Sequence, residues 1–173
     1  MTCSASFNPP LPKNRKTYVL EGDRGAVSTC LFQHQQPDDQ RNIAAGLKQI
    51  LATAISNNAR LGVTGGLLFN RNYFIQVLEG DGGAVTEIFT NVSNDTRHSK
   101  IVLVEIRAIR ERQFGAWSMG FSAASELSSE LLAQFGIAGD FNPAGLNADQ
   151  IAGLVLDLVS KAEGVASSGP VAA

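Results

Sequence analysis

Residues Asn57–Gly80, NNARLGVTGGLLFNRNYFIQVLEG, decide how this chain folds. Gly62–Phe69 and Tyr73–Glu79 are two runs of β-formers separated by the polar Asn70-Arg71-Asn72, the pattern of an antiparallel hairpin. Within the second run, Gln76 lies on the alternate-residue face shared by Phe74 and Leu78. If that face is core, an unpartnered amide there costs about 1–3 kcal/mol. The position therefore asks for a polar partner, and a ligand is one that would serve.

Working outward, Ala26–Gln33 (AVSTCLFQ) reads as a strand. Pro37-Asp38-Asp39 opens a helix whose apolar positions Ile43, Leu47, Ile50, Leu51 and Ala54 keep helical spacing, with an end expected near Asn57-Asn58. Downstream, Asp81-Gly82-Gly83 lacks the Gly-Lys-Ser/Thr ending of a phosphate loop and reads as a turn. Ala84–Asn94 then predicts an amphipathic helix with Val85, Ile88, Phe89 and Val92 on one stripe. Ile101–Ile109 and Phe114–Phe121 predict two more strands, the second with Trp117 and Met119 on one face.

That order predicts an α+β fold: a ferredoxin-like βαββαβ sheet with one extra strand and two helices on one face. The amphipathic stretches Glu126–Phe135 and Ala148–Ala162 form a C-terminal helical pair that either covers the opposite face or leaves it for a partner. The expected organisation is a flexible N-terminal extension (1–25), the main domain (26–122), the helical extension (123–163) and a disordered tail (164–173).

Composition narrows the function classes. With 173 residues, 44% hydrophobic and 17% charged, the chain suits one soluble domain, and a net charge of −2 gives no reason to expect nucleic acid or an acidic membrane surface. Cys3, Cys30, His34 and His98 are too few and scattered for a disulfide framework or a zinc site. No segment has signal-peptide or membrane-spanning character, so a cytoplasmic location is expected. No nucleophile–base pair, carboxylate pair or metal cluster can be assembled, so an enzyme is not expected.

Taken singly, the polar residues have bland readings. Asn57-Asn58 fits a helix C-terminus capped by asparagine, and Gln76 fits an exposed edge strand. Trp117 and Met119 fit core packing, and His98 fits a surface or capping histidine. Their joint order is more specific. ILATAISNNARLGVTGGLLF, YFIQVLEG, NDTRHSK and RQFGAWSMGF, within Leu47–Phe121, resemble the BLUF family, the sensors of blue light using FAD.

The resemblance implies a flavin pocket between the two helices, over the sheet. It implies that Asn57, with Asn58 beside it, holds the ring, and that Gln76 is the switching glutamine. Trp117 and Met119 resemble the residues that exchange partners with it, and Asp95, Arg97 and His98 resemble the region that receives the ring edge or the phosphate-bearing tail. Amides suit a switch because each both donates and accepts without burying charge. The implied cofactor is FAD, with FMN, riboflavin or no flavin as alternatives.

Two positions depart from the family pattern. Asn91 stands where the family has a basic residue. Leu31, or Phe32 with a shift of one, stands where the first strand carries the family's photoactive tyrosine, since the only tyrosines are Tyr18 and Tyr73. The expected function is a BLUF-type sensor signalling through protein contacts or self-association by its C-terminal helices, with an altered or lost photocycle. The alternative is a flavin-free interaction or oligomerisation module.

Overall fold

The structure is a computed structural model, and it describes residues 26–35, 43–70, 73–95, 98–123, 127–138 and 141–166. The expected extension, Pro37–Asp39, Arg97 and most of the C-terminal tail lie outside these residues. Five strands form one sheet: β1 (Ala26–Gln35), β2 (Thr64–Asn70), β3 (Tyr73–Asp81), β4 (His98–Ala108) and β5 (Gly120–Ala123), in the order β4-β1-β3-β2-β5. The helices are α1 (Ile43–Leu61), α2 (Gly82–Asn94), α3 (Ser129–Gln134) and α4 (Ala148–Ala166). The first four strands have the ferredoxin-like order, and β5 extends the edge by pairing parallel to β2.

The hairpin fixes the register. Asn70 pairs with Tyr73 and Leu67 with Gln76, while β1 places Leu31 across from Gln76 on the other side of β3. Alternation then sorts β3 into two faces. Phe74 and Leu78 join Val63, Leu67, Val85, Ile88 and Met119 in a core beneath α1 and α2. Ile75 and Val77 join Leu68, Phe114 and the α4 residues Ile151, Leu154, Val155 and Val159 in a second core. The C-terminal helical extension thus covers the sheet face that α1 and α2 leave open.

Three boundaries differ from the sequence expectation. α1 runs past Asn57-Asn58 to Leu61 and stops at Gly62, whose φ of 64° is the left-handed conformation that glycine adopts without a Cβ penalty. Gly62 N donates to Ala59 O and Val63 N to Asn58 O, a Schellman closure, so neither asparagine is the cap. Asp81 is not in a free turn: its carboxylate accepts from Gly83 N and Ala84 N and caps α2.

The third correction concerns Phe114–Phe121, of which only Gly120 onward is strand. Trp117 N donates to Phe114 O in a tight turn, and Gly65 N donates to Trp117 O. That turn breaks the alternation. Trp117 packs with the α4 core while Met119 enters the core under α1 and α2, so the two do not share a face.

Candidate functional site

A cavity of about 120 Å³ opens between α1 and α2 above the sheet. Holding a single water takes only about 10–15 Å³ by this measure, so the space is ligand-sized. Its apolar wall comes from Ile50, Ala54, Leu67, Phe74, Ile88 and Val92, and its polar groups are Thr53, Asn57, Asn58, Gln76, Asn91 and Asp95. The helices supply the asparagines, Asn57 and Asn58 from the C-terminal part of α1 and Asn91 from that of α2.

The amides differ in what they touch. Asn58 is 1% exposed, and its Nδ2 donates to the Ser118 carbonyl at 2.7 Å. Its Oδ1 is buried with no partner. Gln76 is 5% exposed, and its Nε2 faces Met119 Sδ at 4.0 Å, a weak and distant acceptor. Both side chains retain hydrogen-bonding capacity beside an open space. Asn57 and Asn91 line the same cavity from α1 and α2, and Asp95 follows the end of α2, its backbone N–H donating to Val92 O.

The sequence-derived candidates are therefore distributed unevenly. Asn57, Asn58, Gln76, Asn91 and Asp95 meet at the cavity, and Met119 meets Gln76. Trp117 lies on the far side of the sheet, its ring centroid 6.4 Å from that of Phe114. Arg97 lies outside the described residues, and for His98 the structure gives a backbone position at the start of β4, paired with Gln35. Tyr73 also turns away from the cavity, stacking edge-on against Phe141 at 6.3 Å.

One group was missed in the sequence. Glu79 is 1% exposed, on the α4 side of β3, and its Oε2 accepts from Phe114 N at 2.8 Å. Burial pushes its carboxyl above the usual carboxylate range, against the opposing pull of the Phe114 and Gln113 backbone amides and of the Arg112 and Arg107 charges. Alternation from Val77 would have put Glu79 on that face, but a charged residue at a strand's end ordinarily reads as solvent-facing.

The residues present fit a flavin. An isoalloxazine ring has an apolar end and an edge of alternating donors and acceptors. The cavity offers apolar walls, several amides and an unpaired buried acceptor, Asn58 Oδ1, suited to an N–H donor.

Comparison with known proteins agrees with the geometry. The chain is 37% identical over 108 residues to photoactivated adenylate cyclase subunit beta of Euglena longa, 62% of this chain but 12% of that protein. It is 30% identical over 93 residues to the blue light- and temperature-regulated antirepressor BluF of Escherichia coli, covering 54% of this chain and 23% of that one. Thus it spans less than a quarter of the length of either relative. Among solved structures it superposes on BlsA in its photo-activated state with a TM-score of 0.68 and 26% identity, covering 78% of this chain and 94% of BlsA. For BlrB, a BLUF protein in its dark state, the TM-score is 0.61 at 27% identity, with coverage of 80% and 97%. Among the described residues no helix is long and apolar enough to cross a membrane. With the family model matched over residues 34–120, the chain belongs to the BLUF family, the sensors of blue light using FAD.

Proposed function

We propose that this chain is a cytoplasmic, flavin-binding sensor module whose response to light is altered or lost, and that it acts through protein contacts rather than as an enzyme. The observation carrying this reading is the cavity between α1 and α2, where the buried Gln76 and Asn58 amides stand beside open space. Asn57 and Asn58 hold the polar edge of the ring, and Gln76 answers to its state. When bound, the flavin supplies absorption in the blue and an excited state that accepts an electron.

The altered response follows from Leu31. In the β1–β3 ladder this residue is the partner of Gln76, the register a phenol relay to the glutamine would need. Leucine has no hydroxyl to donate a proton and no ring to donate an electron. Tyr73 stacks on the opposite face, so it is no substitute. Gln76 keeps Met119 as its neighbour and lacks the usual donor. Asn91, in place of a basic residue, leaves the end of α2 without a positive charge toward a phosphate-bearing tail.

The proposed output surface is the C-terminal helical extension, contacting a partner or a second copy. Its inner side packs on the sheet, so a displaced sheet edge reaches it directly. The test is the visible absorption spectrum of the purified protein in the dark and under blue light, with released cofactor identified by chromatography. A flavin band that stays put on illumination supports the full reading. A reversible red shift refutes a lost response and means a working photoreceptor with a donor other than residue 31, and a colourless protein that refuses added FAD refutes flavin binding and leaves the interaction-module alternative.

A further inference from the structure

We infer that Glu79 is a positioning residue: from the sheet face away from the cavity, its carboxylate holds segment 113–119 on the course that brings the Ser118 carbonyl to Asn58 and Met119 Sδ to Gln76. The inference rests on the flavin reading for its consequence in the cavity, but its geometry stands apart from it.

Glu79 and Gln76 are three residues apart on β3, so they emerge on opposite faces. The segment between them in space runs from β4 to β5 and is tied down at a few points. Phe114 N donates to Glu79 Oε2 at 2.8 Å, Trp117 O accepts from Gly65 N at 3.0 Å, and Ser118 O accepts from Asn58 Nδ2 at 2.7 Å. Met119 Sδ then meets Gln76. Both ends of this short stretch are therefore attached to one strand, from its two sides.

The aromatic rings of the segment leave little slack. A Cβ on Gly66 would lie 2.6 Å from Phe114 Cε1 and 2.8 Å from Val155 Cγ1, so the Phe114 ring fits between β2 and α4 only over a glycine. A Cβ on Gly120 would likewise crowd Val159 and lie 3.3 Å from Trp117 Cγ. Shifting Phe114 moves these rings against α4 and moves residues 118 and 119 against the cavity.

A buried carboxylate is an expensive way to fill a strand position. What it provides is an acceptor-only group with two oxygens to meet the Phe114 and Gln113 amides, whereas a glutamine accepts through one oxygen only and presents a donor NH₂ in place of the other. The charged groups around it are Arg112, immediately before the segment, and Arg107 from β4, the latter paired with Glu105 and with Asp149 of α4. Arg107 and Arg112 favour the ionised form, and burial opposes it.

Trp117 is the single tryptophan, so its emission reports the segment without any cofactor. The experiment compares the full-length flavin-free protein with Glu79→Gln, following emission from about pH 8 to about pH 5, and then titrates each with FAD. In the wild type the emission should shift to the red as Glu79 protonates. Glu79→Gln should sit at the shifted position throughout, with no corresponding inflection, an unchanged or higher Tm, and several-fold weaker FAD binding near pH 8. Wild-type and variant profiles that superpose would overturn the inference. So would a variant that merely lowers Tm while keeping the wild-type emission and FAD affinity. If neither protein binds FAD, the flavin reading falls, and the emission profiles alone decide the role of Glu79.

Discussion

Replacing Asn58 by aspartate keeps the shape of the side chain and reverses one interaction. In the wild type Nδ2 donates to Ser118 O across 2.7 Å, in a site 1% exposed. An ionised aspartate places an oxygen against that carbonyl, losing the bond and burying an unpaired charge at a cost of about 3–5 kcal/mol. A domain of this size loses about 2–4 °C of Tm per kcal/mol, so the expected fall near neutral pH is about 6–20 °C. A protonated aspartate can donate to Ser118 O, which raises its folded pKa above the unfolded value. Its contribution is then full below the unfolded pKa and lost as pH rises through the folded one. Thermal unfolding of Asn58→Asp and Asn58→Ala across pH checks this: the aspartate variant should recover stability on acidification beyond the wild-type pH dependence, and the alanine variant should follow the wild-type pH dependence at a lower Tm. An Asn58→Asp protein as stable as the wild type at neutral pH would refute the argument, because it would mean that Nδ2 does not face Ser118.

Other outcomes follow from single contacts. Leu31→Tyr, which installs a phenol at the ladder position of Gln76, should restore part of a light-induced red shift in the flavin-loaded protein, read as a light-minus-dark spectrum; a flavin-bound variant that stays silent would count against the donor argument. Gly65→Ala sets a methyl against the backbone carbonyl of Val77, which cannot move without opening the β2–β3 ladder, so a loss of about 1–3 kcal/mol is expected in denaturant unfolding. Glu79 has a raised folded pKa, so its stabilising contribution is full below the unfolded glutamate value and is lost as pH rises through the folded one. The wild-type Tm should therefore fall more than that of Glu79→Gln between about pH 5 and about pH 8.

The helices and the hairpin were legible because their signals are local and periodic. Val85, Ile88 and Val92 recur at helical spacing on α2, and Phe74, Gln76 and Leu78 alternate on β3, so the core face of each could be read without knowing its neighbours. Gly62, which ends α1, was also visible, but the asparagines before it looked like an earlier stop, and only the bonds from Gly62 N and Val63 N separate the two. Phe114–Phe121 misled for the opposite reason. Its β-forming residues are held in a turn by partners distant in sequence, Glu79 and Gly65, and propensity does not register such partners. Glu79 was hidden because its burial depends on α4, which arrives about seventy residues later in the chain and closes the face it occupies.

The two faces of β3 use different chemistry, and the difference matches their tasks. On the cavity side β3 presents a neutral amide, Gln76, which can exchange donor for acceptor by turning and so can answer a change in a bound ring without moving charge through a low-dielectric space. On the α4 side the polar group is a carboxylate, which only accepts and whose hold on backbone amides depends on staying ionised. A group that turns suits sensing, and one that only accepts suits anchoring. Exchanging the two would fail on both counts: a carboxylate at position 76 would be held charged or neutral by the medium rather than by the ring, and an amide at position 79 would set an N–H donor against the backbone donors it must bind.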